Sequence, residues 1–299
     1  MIISKASGGA NLKSINKILI IGGDTRQIYM ADYLEKSGFD IEAYGLSDKK
    51  RTSSENIRKS INNADAIILP LPVSKDGKYI TSCIAIKETL DEIISFIKED
   101  SVVFAGLMNR NIESKLTKKN IKYFDYFKRE EVTIKNTVPT VQGILKTIID
   151  NINYTIHSSK CAVFGYGRVA KITADVLKFM GADVTVCARK KSDLSLAETR
   201  GIKGILIEDF HKYSDGFEII INTVPSVVID RKILEKLKKD CLIIDVSSAP
   251  YGTDFACASE FGINALQCPS LPGKVAPKTA GIIIAEAVIN IIKEENLWV

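Results

Sequence analysis

The sequence predicts an α/β fold: two domains, each a parallel sheet flanked by helices, with a cleft between them. Three observations predict it. Short apolar runs alternate with amphipathic segments along most of the chain, the pattern that builds parallel sheets with helices on both faces. The alternation starts twice, each time with an apolar strand entering a glycine turn: Lys17-Ile-Leu-Ile-Ile21 before Gly22-Gly23-Asp24, and Cys161-Ala-Val-Phe164 before Gly165-Tyr-Gly167. The 299 residues exceed one typical domain, and 45% apolar with 26% charged residues leave ample core for two.

Residues 1–14 have no convincing period and read as an N-terminal extension. The first domain is placed at 15–138. After the opening strand and turn, the apolar spacing predicts a helix over about Thr25 to Ser37 and a strand over Phe39 to Tyr44. Further strands are expected at Ala66 to Leu69, Ser101 to Phe104 and Ile121 to Phe124, with helices at Cys83 to Lys98 and Ile112 to Lys118. Pro139, tolerated in a first helical turn, opens a helix to about Ile156, so 139–157 is read as an interdomain helix. The second domain, 158–274, shows strands at Cys161 to Phe164, Val184 to Cys187, Ile219 to Asn222 and Cys241 to Asp245. Helices at Arg168 to Met180 and Asp230 to Lys238 lie between them. The last helical pattern, Thr279 to Lys293, is apolar enough to need a neighbour, so 275–299 is expected to pack back on the first domain.

Composition narrows the function classes. A net charge of +5 is modest for this length, and Lys and Glu are interspersed, which argues against nucleic acid and suits small anionic ligands. No apolar stretch reaches a membrane span and no signal-peptide core is present, so a cytoplasmic protein is expected. The six cysteines form no CxxC pair; Cys161, Cys187 and Cys241 fall in apolar runs and read as reduced core residues, and no metal site is expected.

The second glycine turn carries the chemistry. Gly165-x-Gly167-x-x-Ala170 lies between a strand and an amphipathic helix, so both domains read as Rossmann-like and this one as dinucleotide-binding. Gly165 permits the turn, Gly167 lets backbone approach a pyrophosphate, and Ala170 allows close helix–strand packing. Tyr166, Arg168 and Val169 complete the turn. Where NAD would want a carboxylate after the next strand, the chain offers Arg189, Lys190, Lys191 and Ser192. An arginine fork grips a 2′-phosphate, so NADP(H) is expected.

Ligands of such folds sit outside the carboxyl ends of the strands. That rule selects Gly22, Gly23, Asp24, Arg26, Pro70, Leu71, Pro72, Gly106, Asn109 and Arg110 in the first domain, and Gly165 to Arg168, Arg189, Asn222, Thr223, Val224, Pro225 and Asp245 to Ser248 in the second, with Asn222 to Pro225 and Asp245 along the cofactor. Arg26, Arg110, Lys274 and Lys278 are the cations available to a carboxylated substrate. Neither histidine suits a general base: His157 precedes the second domain's first strand and His211 lies in a polar connection. The proton partner is then Asp, Lys, Tyr, water or the substrate itself, and a reaction driven by aromatisation asks little of a base.

The segments Gly22-Gly-Asp-Thr-Arg-Gln27, Leu69-Pro-Leu-Pro72, Asn136-Thr-Val-Pro-Thr140, Gly165-Tyr-Gly-Arg168, Asn222-Thr-Val-Pro225, Ile244-Asp-Val-Ser-Ser248 and Leu271-Pro-Gly-Lys-Val-Ala-Pro-Lys-Thr-Ala280 follow the order seen in the dipicolinate synthase A-subunit family, which this chain resembles over about residues 16 to 295. The resemblance implies an NADPH-type oxidoreductase. With a smaller flavoprotein-like partner, the dipicolinate synthase B-subunit, it makes dipicolinate from the dihydrodipicolinate-level intermediate of the lysine pathway, in the mother cell of a sporulating bacterium. On that basis Arg26, Lys274, Lys278 and Thr279 are expected to hold a dicarboxylate, and Asp245 and Lys274 to act at the reacting centre. Two departures stand out: Gln142 replaces an expected acid, and Ser247 to Gly252 replaces an Ala-Ser and Gly-Gly pattern. An amino-acid or 2-hydroxy-acid dehydrogenase, or a dinucleotide-binding subunit without its own catalysis, are the alternatives; a homo-oligomer is compatible with either.

Overall fold

The computed structural model of the protein describes residues 14–47, 51 and 56–297. Of the N-terminal extension read from the sequence, residues 1–13 lie outside the described residues. The chain divides into two compact units, residues 1–135 with 277–299 and residues 136–276.

The first unit is built from β1 (Lys17–Ile21), α1 (Thr25–Lys36), β2 (Asp40–Tyr44), α2 (Ile57–Asn63), β3 (Ala66–Ile68), α3 (Leu90–Phe96), β4 (Val102–Ala105), α4 (Arg110–Lys118), β5 (Lys122–Asp125) and α5 (Glu130–Lys135). Its five strands are parallel in the order β2-β1-β3-β4-β5. Burial on both faces explains their unbroken apolar runs: Ile18 and Ile20 face one core cluster, Leu19 and Ile21 the other. The helix expected over Cys83 to Lys98 begins only at Leu90, where Thr89 and Glu92 form a reciprocal capping box. Residues 80–86 instead lie along the ends of β1 and β2, tied there by the Gly23 N–H to the Thr81 carbonyl (2.7 Å) and the Cys83 N–H to the Gly23 carbonyl (3.0 Å).

The second unit holds α6 (Thr137–Asn151), β6 (Lys160–Phe164), α7 (Arg168–Phe179), β7 (Asp183–Ala188), α8 (Lys191–Thr199), β8 (Lys203–Leu206), β9 (Ile219–Asn222), α9 (Arg231–Leu234), β10 (Leu242–Asp245), α10 (Phe255–Glu260), β11 (Asn264–Gln267) and α11 (Leu271–Val275). All six strands are parallel, in the order β11-β10-β9-β6-β7-β8, which is the doubly wound dinucleotide-binding order. The edge strands β8 and β11 escape sequence patterning because they are only half-buried or exposed and carry Gly204 and Asn264. The helix expected to stand between the domains is part of this unit. It ends at Asn151, buries Ile144 and Ile148 in the core that also holds Val163 and Leu177, and packs against α7 and α11. Gly143 makes the α11 contact close, since a Cβ there would lie 2.7 Å from the Leu271 Cβ.

The chain then returns to the first unit as α12 (Pro277–Glu294), whose Ile283, Ile284, Val288 and Ile292 pack in one core with Met30 and Leu34 of α1. The crossing is tight because a Cβ on Gly281 would come within 2.3 Å of the Arg26 carbonyl oxygen and 3.1 Å of the Met30 nitrogen. Arg129 grips Glu294 through both terminal nitrogens (2.5 and 2.7 Å), and Lys135 pairs with Glu286 at 2.5 Å, fastening α5 and the turn before it to the same helix. Replacing Gly281 with Ala improves helix propensity by about 1 kcal/mol, yet the clash is with backbone, which cannot give way without moving α1. The variant is expected to be less stable by roughly 2 kcal/mol net, read as a drop of about 5 °C in the melting temperature of the first unit.

Candidate functional site

In the second unit the strand order reverses between β6 and β9, and the glycine turn leaves β6 at that point, opening the crevice in which such sheets take nucleotides. The two glycines serve different needs. Gly165 has φ +96°, and a Cβ there would sit 2.4 Å from the Thr223 hydroxyl oxygen, itself donating to the Phe164 carbonyl at 2.8 Å. The protein's own packing therefore requires that glycine. Gly167 is extended with φ −77°, and a Cβ on it would meet nothing within 4 Å. Its bare face is open to an approaching ligand, and α7 begins right after it with no side-chain cap and no acidic residue in its first turn. The N–H groups of that turn and the positive end of the helix are thus presented to an anion. Tyr166 is buried, Val169 half-buried and Arg168 exposed at the first helical position. These residues fit a dinucleotide pyrophosphate.

The first unit's glycine turn is closed by its own chain. A Cβ on Gly22 would lie 2.6 Å from both Ile80 Cγ2 and the Thr81 carbonyl oxygen, and one on Gly45 would lie 2.6 Å from Ile86 Cδ1. The start of α1 already holds an anion: the Asp24 carboxylate accepts from the Arg26 N–H at 3.0 Å, and Gln27 completes a capping box. Asp24 also accepts from Arg26 Nε (2.9 Å) and Nη2 (2.8 Å), while the same Nη2 donates to the Leu71 carbonyl at 2.8 Å, next to the cis Leu71–Pro72 bond. Burial raises the Asp24 pKa, but hydrogen bonds and charge from Arg26 outweigh it and hold the carboxyl below its ordinary 3.8. Arg26, 9% exposed, thus ties α1 to the turn after β3 and keeps only Nη1 without a partner among the described residues. Beneath it the buried Tyr126 hydroxyl donates to the Leu69 carbonyl at 3.0 Å, and Gly106 leaves room for the ring.

Asp245, expected from the sequence at the reacting centre, is fully buried at the end of β10. Five donors converge on it: Asn222 Nδ2 (2.9 Å), the Ser247 N–H (3.0 Å) and hydroxyl (2.6 Å), the Gly252 N–H (2.9 Å) and the Thr253 hydroxyl (2.9 Å). Two carboxylate oxygens offer about four lone-pair sites, so no acceptor is left for a reacting proton. Its effect is to hold the Val246–Thr253 loop against Asn222, whose amide also binds both polar groups of Val224, the carbonyl and the N–H. The strand-end rule reaches Ser247 but not Gly252 and Thr253, since a hub of this kind appears only once the loop closes on the strand ends. The signal that could have found those two is their spacing of seven and eight residues after a strand-terminal Asp.

The remaining candidates fall at element ends. Arg189 and Lys190 are exposed where β7 passes into α8, whose N-terminus also lacks a side-chain cap and continues with Lys191 and Ser192. Thr223, Val224 and Pro225 follow β9. Arg110 is exposed at the first position of α4, capped by Asn109. Lys274 is exposed on α11, where its charge lowers the Cys268 pKa against the larger upward effect of burial. Lys278 and Thr279 are exposed in the first turn of α12, in the other unit from Lys274. Gln142 is exposed on α6 and Tyr251 adopts φ +71° within the loop that Asp245 holds. His157 packs on Gly181 and bonds Ser158 at 2.9 Å, while His211 Nδ1 lies 2.8 Å from the Glu208 carbonyl. No group of His, Cys, Asp or Glu among the described residues is arranged to hold a metal, and no helix among them is long and apolar enough to cross a membrane.

Asp24→Asn keeps an N-cap while stripping the buried Arg26 of its counter-charge. Because Asp24 is 42% exposed, the expected loss is discounted to roughly 1–2 kcal/mol at neutral pH. The carboxyl is depressed on folding, so its contribution is complete above 3.8 and disappears as pH falls through the lower folded value. Urea denaturation across pH is expected to show the variant's deficit shrinking below 3.8.

Comparison with known proteins supplies the family. Residues 17–127 match the model of the N-terminal domain of the dipicolinate synthase A-subunit, and residues 152–259 match a putative NAD(P)-binding model. The dipicolinate synthase A-subunit of Bacillus subtilis is 31% identical over 285 residues, 93% of this chain and 96% of that one. The crystal structure of the dipicolinate synthase A-subunit from Bacillus halodurans superposes with a TM-score of 0.84 at 30% identity, covering 95% of this chain and 99% of that chain. A transhydrogenase from Sinorhizobium meliloti, 13% identical, shares the fold at a TM-score of 0.63, covering 93% of this chain and 94% of that chain.

Proposed function

The chain belongs to the dipicolinate synthase A-subunit family, and on that premise we propose that it is the NADP(H)-binding oxidoreductase subunit that, with the B-subunit of dipicolinate synthase, forms dipicolinate (pyridine-2,6-dicarboxylate) from the dihydrodipicolinate-level intermediate of the lysine pathway. Its setting is the cytoplasm of the mother cell of a sporulating bacterium. The observation that carries this reading is the open turn at Gly167: of the two glycine turns, one is filled by its own chain and its own carboxylate, and the other is bare.

Gly165 to Val169 hold the pyrophosphate through backbone N–H groups, and Asn222 to Pro225 line the path toward the nicotinamide. Arg189 and Lys190, with the uncapped start of α8, hold the 2′-phosphate and set the preference for NADP(H). A nicotinamide held by these residues would supply the hydride acceptor for oxidation of the substrate ring. For a substrate carboxylate the first unit offers Arg110, Lys278, Thr279 and the remaining Nη1 of Arg26, with Asp24 and Pro72 shaping the turn around Arg26, and the second unit offers Lys274. Asp245 positions the Ser247–Thr253 loop and takes no proton. That a strong base is absent from this set agrees with the chemistry: loss of hydride and proton creates an aromatic ring, so water or a weakly basic group suffices for the proton.

Arg189→Ala is expected to weaken NADPH binding by about tenfold while leaving NADH nearly unchanged; an unaltered ratio of the two affinities in calorimetric titration would discard the clamp. Lys274→Ala, assayed with the B-subunit present, is expected to lower kcat/KM for dihydrodipicolinate by at least about tenfold. Full turnover by that variant would remove Lys274 from the substrate. A protein that only holds nucleotide would bind NADPH yet show no absorbance change with substrate, with or without the B-subunit.

A further inference from the structure

We propose that Lys171 binds the cofactor's pyrophosphate, its ammonium held at the start of α7 by the ring of Tyr166. The proposal rests on the reading that a dinucleotide occupies the Gly165–Gly167 turn, and adds a residue which neither the motif nor the strand-end rule selects.

Lys171 is the fourth residue of α7, and its N–H donates to the Gly167 carbonyl at 3.0 Å. Side chains on a helix lean toward its N-terminus, so a lysine here points back at the turn. The observed geometry agrees: Lys171 Nζ lies 5.2 Å from the centre of the Tyr166 ring, the residue between the two glycines. The ring is rigidly seated. Tyr166 is 6% exposed and belongs to the core that contains Ala170, Ile144 and Leu271. Its hydroxyl has no hydrogen bond among the described residues, so the part of Tyr166 with a polar partner is the ring face beneath the ammonium.

Apart from the Tyr166 ring, no charge within the protein favours this placement. A cation beside a helix N-terminus is repelled by the helix dipole, and the first turn of α7 has no acid to offset it. Lys171 makes no ion pair among the described residues. Two other lysines take the opposite position and bond carbonyls at helix ends, Lys119 with Ile94, Ser95 and Ile97 after α3, and Lys178 with Arg200 after α8. Lys171 is at the unfavourable end of a helix that carries no acid of its own, and at the favourable end of one that receives a phosphate. Its distance in sequence from Arg189, at the end of the next strand, separates its role from that of the 2′-phosphate clamp: the pyrophosphate is common to NADPH and NADH, the 2′-phosphate is not.

The test is calorimetric titration of the full-length protein with NADPH and with NADH at two ionic strengths. Lys171→Ala is expected to weaken both nucleotides by the same factor, about tenfold, and to flatten the salt dependence of both. Lys171→Arg is expected to restore most of the affinity. Tyr166→Leu, which removes the ring face, is expected to weaken both nucleotides. Wild-type affinity for both nucleotides in Lys171→Ala would overturn the proposal while leaving the dinucleotide reading intact, and so would a loss confined to NADPH. Failure of the unaltered protein to bind either nucleotide would overturn the functional reading and this inference with it.

Discussion

The structure turns on helix starts whose backbone N–H groups have no partner in the helix. An α-helix leaves about four such groups at each start, and what satisfies them decides the use of the crevice below. In the first unit the chain answers from within: Asp24 caps α1, Gln27 closes the box, and the 80–86 segment covers the strand ends. In the second unit, Gly167 contributes no side chain, no side chain caps α7, and its first turn carries no acid. One topological theme thus yields two different surfaces, and the difference lies in a few side chains and one loop.

Buried charge follows a single rule in both units. Asp245 and Arg26 are each enclosed; five donors saturate Asp245, and Arg26 engages Nε and Nη2 with one carboxylate and one carbonyl. An ionised group can be removed from water only when such partners replace its hydration. On Asp245 those partners take up the lone pairs that chemistry would need, whereas Arg26 keeps Nη1. Both residues fix loops at the carboxyl ends of the sheets, and Lys274, Lys278, Arg110 and Arg189 stand exposed.

Much of this was legible in the order of residues. Apolar runs buried on both faces cannot be mistaken for loops, so the central strands of both sheets stand where their Ile and Val content puts them, and the Gly-x-Gly-x-x-Ala turn lies between strand and helix as its spacing requires. The edge strands β8 and β11 were not legible, because half-exposed strands lose the apolar signal. Neither was the long connection before α3, where Ile80 and Ile86 are buried by contact with Gly22 and Gly45 rather than by helical periodicity.

By itself the sequence determined which segments form the central strands, which turn carries the Gly-x-Gly-x-x-Ala spacing, and that basic residues stand where an NAD site would carry an acid, since all three depend on local chemistry along the chain. Only the tertiary structure decided that Asp245 is a closed hub, that Arg26 is bound to its own neighbours, that α6 packs within the second unit, and that Lys171 lies over Tyr166. Each of these depends on which atoms share a polar or apolar environment after folding, and a one-dimensional pattern does not specify how many hydrogen-bond partners converge on one group.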